Sequence, residues 1–343
     1  MTEPVLTIVV PCYNEEEVLP LTMTRLSDLL SQMIKDRLVS PRSRLLFVDD
    51  GSRDRTWEII YKTGFANDLV KGVKLARNAG HQNALLAGIY AAKDASDCIL
   101  SIDADLQDDI EVIPQFVKKY HEGNEVVYGV RRKRDTDTWF KRFTAQSFYK
   151  VMARLGVKLV YNHADFRLLG KRAVAELERF REVNMFLRGV VPLLGFNTAE
   201  VYYDRQERQA GESKYPLKKM LGFAFDGITS FSVTPIRFVL TLGLTSSLIS
   251  ILFGLYFLFL KFFGETETGW TSLIVSIWLI GGLQLVAIGL IGEYIGKIYK
   301  ETKQRPKFIV DVDMYNLPFL RNSKQESELE RMKLDRSKIP ETN

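Results

Sequence analysis

Between Arg237 and Lys261 the chain reads FVLTLGLTSSLISILFGLYFLFL, 23 residues without a formal charge. Wound as a helix rising about 1.5 Å per residue, such a run crosses a hydrocarbon layer about 30 Å thick. A second uncharged tract, 25 residues from Thr268 to Gly292, follows the connector KFFGETE, which is too short to hold a domain. The two tracts are expected to form a transmembrane hairpin, with helices at residues 238–260 and 270–292 and both flanks on one side. Lys214, Lys218, Lys219 and Arg237 precede it, and Lys297, Lys300, Lys303, Arg305 and Lys307 follow it. The connector instead sets Lys261 against Glu265 and Glu267. That bias puts both termini in the cytoplasm, at the inner membrane. Two buried helices of a soluble core would seldom run so far without a charge. Gly292 and Gly296 add a GxxxG spacing, an expected helix contact.

Ahead of this hairpin, short apolar runs alternate with helical patterns. LTIVVP (6–11), RLLFVDD (44–50), KGVKLA (71–76), DCILSID (97–103) and EVVYGV (125–130) read as strands. The segment after the first opens with Asn14 and three glutamates, an expected helix cap and first turn. Strand–helix alternation of this kind predicts an α/β domain with a mostly parallel sheet covered on both faces, whose ligands lie beyond the carboxyl ends of the strands. The expected division is a cytoplasmic catalytic domain at 1–213, juxtamembrane amphipathic segments at 214–236, the hairpin at 237–296 and a cytoplasmic tail at 297–343. A net charge of 47 − 42 = +5 is low for a dedicated nucleic-acid binder, so no nucleic acid is expected. Cys12 and Cys98 fall in apolar strands with no zinc-like spacing and read as reduced, buried residues.

The stretch CILSIDADLQDD ends a buried strand in acid. Asp103 and Asp105, two apart, project to one side if the chain stays extended, and the small Ala104 between them lets a ligand approach the backbone. Oxygen ligands of this kind suit Mg²⁺ or Mn²⁺ bridging to a diphosphate. Three further strand ends deliver short polar groups: VVPCYNEEE, FVDDGSRDRT and LARNAGHQNALLAGIYAA. Asp50 there can meet a base edge, Gly51 and Ser52 make tight turns, and Asn78 and Gly80 allow close approach. No GxGxxG follows a strand and no P-loop occurs, which disfavours dinucleotide oxidoreductases and P-loop NTPases. His81 and His163 read as helix-start and loop packing.

Taken in order, VPCYNEE, VDDGSRDRT, RNAGHQNAL, DADLQDD, DFRLL and RQAGESKYP, then the hairpin and GEYIGKIYKE, resemble family-2 glycosyltransferases of GT-A (Rossmann-like) fold. The match is to the polyprenyl-phosphate type that includes dolichyl-phosphate mannose synthases and bactoprenol glucosyltransferases, over nearly all of residues 5–310. The resemblance implies that Pro11, Tyr13, Asn14, Glu15 and Asp50 hold the nucleoside. It implies that Asp103 and Asp105, with Gln107, bind the metal and diphosphate. Asp165, with Arg167 beside it, would be the catalytic base or orient the acceptor. The loop carrying Arg205, Arg208, Ser213 and Lys214, together with Arg131, would take the acceptor phosphate. The implied activity is transfer of one sugar from a UDP-linked donor to polyprenyl (undecaprenyl) phosphate with inversion, by a membrane-bound homo-oligomer, a tetramer. The rivals are a processive polysaccharide synthase, disfavoured by the lack of a QxxRW motif and of further spans, and a non-catalytic scaffold.

Overall fold

The structure is a computed structural model and describes residues 3–132, 163–182, 185, 187–204, 234–263 and 269–316. One mixed sheet organises the domain before the hairpin. Its strands are β1 (Leu6–Cys12), β2 (Arg44–Asp49), β3 (Val70–Leu75), β4 (Cys98–Ser101), β5 (Val126–Arg131), β6 (His163–Gly170), β7 (Thr198–Tyr203) and β8 (Val310–Asp313). Across the sheet they lie in the order β7-β5-β6-β4-β1-β2-β3-β8. The five expected strands all form, and β4-β1-β2-β3 are parallel. The run of parallel pairs is interrupted on both sides, because β6 runs antiparallel to both β4 and β5 and β8 runs antiparallel to β3, while β5 and β7 are again parallel. The sheet is therefore mixed.

Helices α1 (Leu19–Lys35), α2 (Thr56–Ala66), α3 (His81–Ala92), α4 (Ile113–His121) and α5 (Lys171–Glu178) cover it. Two apolar clusters bury its two faces, one around Leu6, Ile8, Phe47 and Phe116, the other around Val9, Val48, Leu86 and Leu169. Residues 8 and 9 falling in different clusters is the alternation of a strand covered on both sides. Helix α1 begins later than expected. Asn14 is in the left-handed region at φ 54° and does not cap it, and the first turn carries Pro20 rather than the three glutamates. Proline fits there because the first-turn N–H has no helical partner to lose.

Beyond this domain stand α6 (Thr234–Phe263) and α7 (Trp270–Thr302), at 30 and 33 residues. At about 1.5 Å per residue each exceeds a hydrocarbon core of about 30 Å. Among the described residues, Leu279–Thr302 is long and apolar enough to cross a membrane, and none of that stretch is buried by the rest of the chain. A Cβ on Gly292 or Gly296 would meet nothing within 4 Å, so this spacing makes no packing contact among the described residues.

Strand β8 comes after the helices and returns to the sheet. Seven residues link Thr302 to Val310, a reach of at most about 28 Å over the steps between them, and Val310 pairs with Leu75 at the carboxyl end of β3. The far end of α7 is thus tethered to the end of the sheet where the polar loops gather. Met314 locks this return: its N–H donates to Gly72 O at 2.8 Å. Its side chain fills a notch left by two glycines, since a Cβ on Gly64 or Gly72 would sit 3.1 or 3.4 Å from it. Tyr315 Oη lies 2.8 Å from Thr7 Oγ1, itself 2.7 Å from Ser96 Oγ. Replacing Met314 with alanine is expected to lower stability by about 2–3 kcal/mol and to expose the segment after Thr302 to protease; unchanged thermal unfolding and proteolysis would argue against the clasp.

Candidate active site

Strand order 3-2-1-4 leaves a crevice where β2 and β4 part on either side of β1, the place where open α/β sheets bind ligands. The expected residues collect at its mouth. Pro11 is buried at the end of β1, while Tyr13 and Asn14 are exposed just beyond it. Asn14 Oδ1 accepts from Arg53 N–H at 2.9 Å and Glu15 N–H donates to Thr56 Oγ1 at 2.9 Å, so the loops after β1 and β2 brace each other. Gly51 closes the second loop at φ 65°, and a Cβ there would come within 2.7 Å of the Arg77 and Asn78 backbone. Only glycine meets both conditions. Asp50 accepts from Ala79 N–H at 2.7 Å and Gly80 N–H at 2.9 Å, fixing the loop that carries Asn78. Burial pushes its carboxyl up, against the pull of those two bonds.

The acidic stretch leaves its strand earlier than expected. Strand β4 ends at Ser101, the chain turns at residues 104 and 105, and Leu106 lies at φ 51°. Extended alternation is therefore not what places Asp103 and Asp105. Thr22 Oγ1 donates to Ala104 O at 2.8 Å, and Asp105 Oδ1 accepts from Gln107 N–H at 3.2 Å. These bonds shape the turn. Asp103 is divided: its side chain is 37% exposed, yet Oδ1 is buried with no hydrogen-bond partner. Burial first, then neighbouring Asp165, Asp108 and Asp105, pushes its carboxyl up to about 6 against the opposing pull of His81. A buried carboxylate oxygen without a hydrogen is what a hard cation would satisfy. Among the described residues no three His, Cys, Asp or Glu side chains are placed to hold a metal ion by themselves. Most of the coordination shell would then come from diphosphate and water, as Mg²⁺ commonly accepts.

Asp165 reaches the same mouth because β6 runs against β4, so its first residues lie at the carboxyl end of the parallel strands. It is buried and surrounded by donors. Arg167, two residues on along the same strand face and buried, donates Nη2 to its Oδ1. Arg188, from the turn Leu187–Val190, donates Nη2 to Oδ2 at 3.1 Å and Nε to Oδ1 at 3.4 Å. Gln82 Nε2 donates at 3.4 Å. Burial alone would raise the Asp165 carboxyl, but Arg188, His81 and Arg167 overcome it and hold it well below the usual carboxylate range. It is ionised at any physiological pH.

His81 does start α3, as expected, but its imidazole does more than pack. Nε2 stands 3.5 Å from Asp103 Oδ1 and 3.5 Å from Asp165 Oδ2, bridging the two acids. Burial works against its charge, and the two carboxylates raise its pKa nonetheless. Sequence reasoning did not find this bridge, nor Gln82 and Arg188. The available signal was a lone arginine in the apolar run NMFLRGVV.

Arg131, expected at the acceptor phosphate, turns to Asp108, with Nη2 donating at 3.0 Å; Tyr203 Oη donates to the same oxygen at 2.6 Å. Asp108 is buried, so this triad ties the acidic loop to the ends of β5 and β7. Removing the Tyr203 hydroxyl as phenylalanine should cost about 1–2 kcal/mol of stability, read by thermal unfolding; a neutral result would show that the hydroxyl does not support the loop. Arg205, Arg208, Ser213 and Lys214 lie outside the described residues. Cys12 and Cys98 are free and buried, and burial pushes both thiols up, so neither is poised as a nucleophile.

Residues 7–178 match the family described as Glycosyl transferase family 2. The chain is 58% identical over 327 residues to YkoT of Bacillus subtilis (strain 168), described as an uncharacterized glycosyltransferase, covering 95% of this chain and 97% of that one. It is 38% identical over 307 residues to the prophage bactoprenol glucosyl transferase homolog of Escherichia coli (strain K12), covering 89% and 98%. It is 39% identical over 307 residues to the bactoprenol glucosyl transferase of Shigella phage SfV, covering 89% and 97%. The match runs from β1 through α5 and takes in both acidic centres of the crevice, and with relatives aligned along almost their whole length the chain belongs to glycosyl transferase family 2 and is a glycosyltransferase.

Proposed function

We propose that this glycosyltransferase moves one sugar from a UDP-linked donor to the phosphate of a polyprenyl lipid, undecaprenyl phosphate, at the cytoplasmic membrane face. The observation that carries the reading is the pairing of Asp103, with one buried oxygen that accepts no hydrogen bond, and Asp165, ionised between two guanidiniums, across His81. The names borne by the relatives supply the lipid class, and the tether from α7 to the carboxyl end of the sheet supports a site close to the membrane. In this reading both spans cross the inner membrane, both termini are cytoplasmic, and the chain assembles as a homo-oligomer.

The nucleoside lies against Pro11, Tyr13, Asn14 and Glu15, and the loop that Asp50 fixes through Asn78 completes that wall. Asp103 and Asp105, with Gln107, would hold Mg²⁺ or Mn²⁺, which when bound would supply positive charge to offset that of the diphosphate leaving group. Asp165 orients the acceptor and is not a base. A carboxylate held by two guanidiniums has little affinity for a proton, and a lipid phosphate, with a second pKa of about 6 by analogy with phosphorylated side chains, arrives ionised. A single in-line displacement then inverts the anomeric centre. Arg205, Arg208, Ser213 and Lys214 offer the planar donors and hydroxyl that suit an acceptor phosphate.

Membranes carrying the full chain, supplied with radiolabelled UDP-sugars and undecaprenyl phosphate, test this. The expected product is a lipid bearing one sugar. A long polymer would instead indicate a processive synthase, and no product with any donor would indicate a scaffold.

A further inference from the structure

Away from the crevice, an open cleft of roughly 310 Å³ lies between α3, the end of α5 and the segment that follows α7. Its apolar walls include Tyr90, Phe180 and Phe308, and it carries Arg181, Arg305 and Lys307. None of the three cations has a carboxylate within 4 Å among the described residues, whereas Glu178 beside them is already taken by Lys93 Nζ at 2.7 Å. Glu182 and Glu301 act on Lys307 only from farther off, and Lys307 Nζ donates to Phe180 O at 3.3 Å, which fixes the ammonium at the cleft wall. Arg305 comes three residues after the end of α7, so the cleft opens at the foot of the helix that carries the candidate span.

We propose that this cleft binds the phosphodiester headgroup of an anionic glycerophospholipid, with the phosphate on Arg181, Arg305 and Lys307 and the glycerol and first methylenes against the aromatic walls. Cations with no carboxylate within 4 Å among the described residues, beside aromatic surface at the foot of α7, complement such a lipid and not a zwitterionic one, whose own ammonium would be repelled. The site is separate from the sugar-transfer crevice. The proposal rests on the reading that α7 spans the membrane, but not on the identity of sugar or acceptor.

The test uses the full chain in nanodiscs of phosphatidylcholine doped with phosphatidylglycerol, followed by native mass spectrometry of retained lipid. Wild type is expected to retain phosphatidylglycerol selectively. R181Q, R305Q and K307Q should each lower retention about five-fold, the factor for about 1 kcal/mol per basic side chain at an anionic surface; K62Q, on exposed α2, should not. Glycerol 3-phosphate added in excess should fail to displace the lipid, because it lacks the chains that reach the aromatic walls. Displacement would overturn the lipid assignment in favour of a soluble phosphate. R305K guards against misfolding and should keep most of the retention. Equal retention of both lipids, or retention unchanged in all three variants, would overturn the proposal. Sugar transfer measured in detergent on the same variants separates the two readings: it should persist where lipid retention is lost.

Discussion

Replacing Asp165 with asparagine should lower sugar transfer by about 10³-fold and destabilise the domain, both by the same route. The substitution keeps the shape and removes the charge. Arg167, with 1% of its surface exposed and its Nε and Nη1 buried without hydrogen-bond partners, would lose the carboxylate that offsets its charge, and Arg188 would lose its anchor. Removing one partner from a buried pair costs about 3–5 kcal/mol, and if the acceptor and Arg188 shift accordingly, about 4 kcal/mol of transition-state stabilisation is about 10³ in rate. The pH dependence distinguishes orientation from general-base catalysis. The folded-state pKa of Asp165 is depressed, so the stability it gives is present above the ordinary carboxylate value and lost only as pH falls through the depressed one. Between about pH 5 and 8, then, Asp165 itself should not titrate and wild-type turnover should show no limb due to this residue. Asp165→Glu, which keeps the charge, should recover part of the rate. An acidic limb near neutrality that vanishes in Asp165→Asn would identify a base and refute the orienting role.

The second large effect has the opposite sign on stability. Asp103→Asn should abolish cation-dependent transfer, a loss of about 10³-fold or more when a cation's several kcal/mol of charge stabilisation disappear. Yet without cation the variant should be the more stable protein above pH 7. The carboxyl of Asp103 is pushed up to about 6, chiefly by burial. A raised pKa means the folded chain holds the proton more tightly, so this favourable term is present below the ordinary value and lost as pH rises through about 6. Because the side chain is 37% exposed, solvent screening reduces the gain from the neutral amide to about 1 kcal/mol. Thermal unfolding at about pH 3.5 and about pH 8, with and without Mg²⁺, reads this directly: parity at the acid end, advantage to the variant at the alkaline end, and reversal when the cation is added at the alkaline end. A variant less stable than wild type at both pH values would mean that Asp103 serves the fold.

Most of the frame was legible because it is written in short-range pattern. Five strands announce themselves as apolar runs closed by acid, amide or glycine, and the uncharged tracts are long enough to be unmistakable as helices. What the sequence withheld is pairing over distance. HADFRLLG carries two charged residues within eight, and nothing local says that both will be buried; Arg167 and Asp165 are tolerated there because each neutralises the other. The strand VDVD, four residues with two acids, earns its place through Gly64 and Gly72, some 240 residues earlier, which leave the notch for Met314. Asp103 and Asp165 were each singled out on their own, but the imidazole between them is a product of topology: α3 follows β3, β6 runs against β4, and only their meeting sets His81 against both acids.

A crystal or cryo-electron map of the full chain with UDP and Mn²⁺ tests the central claim most directly. The manganese should lie bonded to Asp103 and Asp105 and to the diphosphate, in the crevice beyond β1 and β4, with Asp165 still held by Arg167 and Arg188 on the sugar's side. Manganese found elsewhere, or nucleotide bound away from both acids, would contradict it.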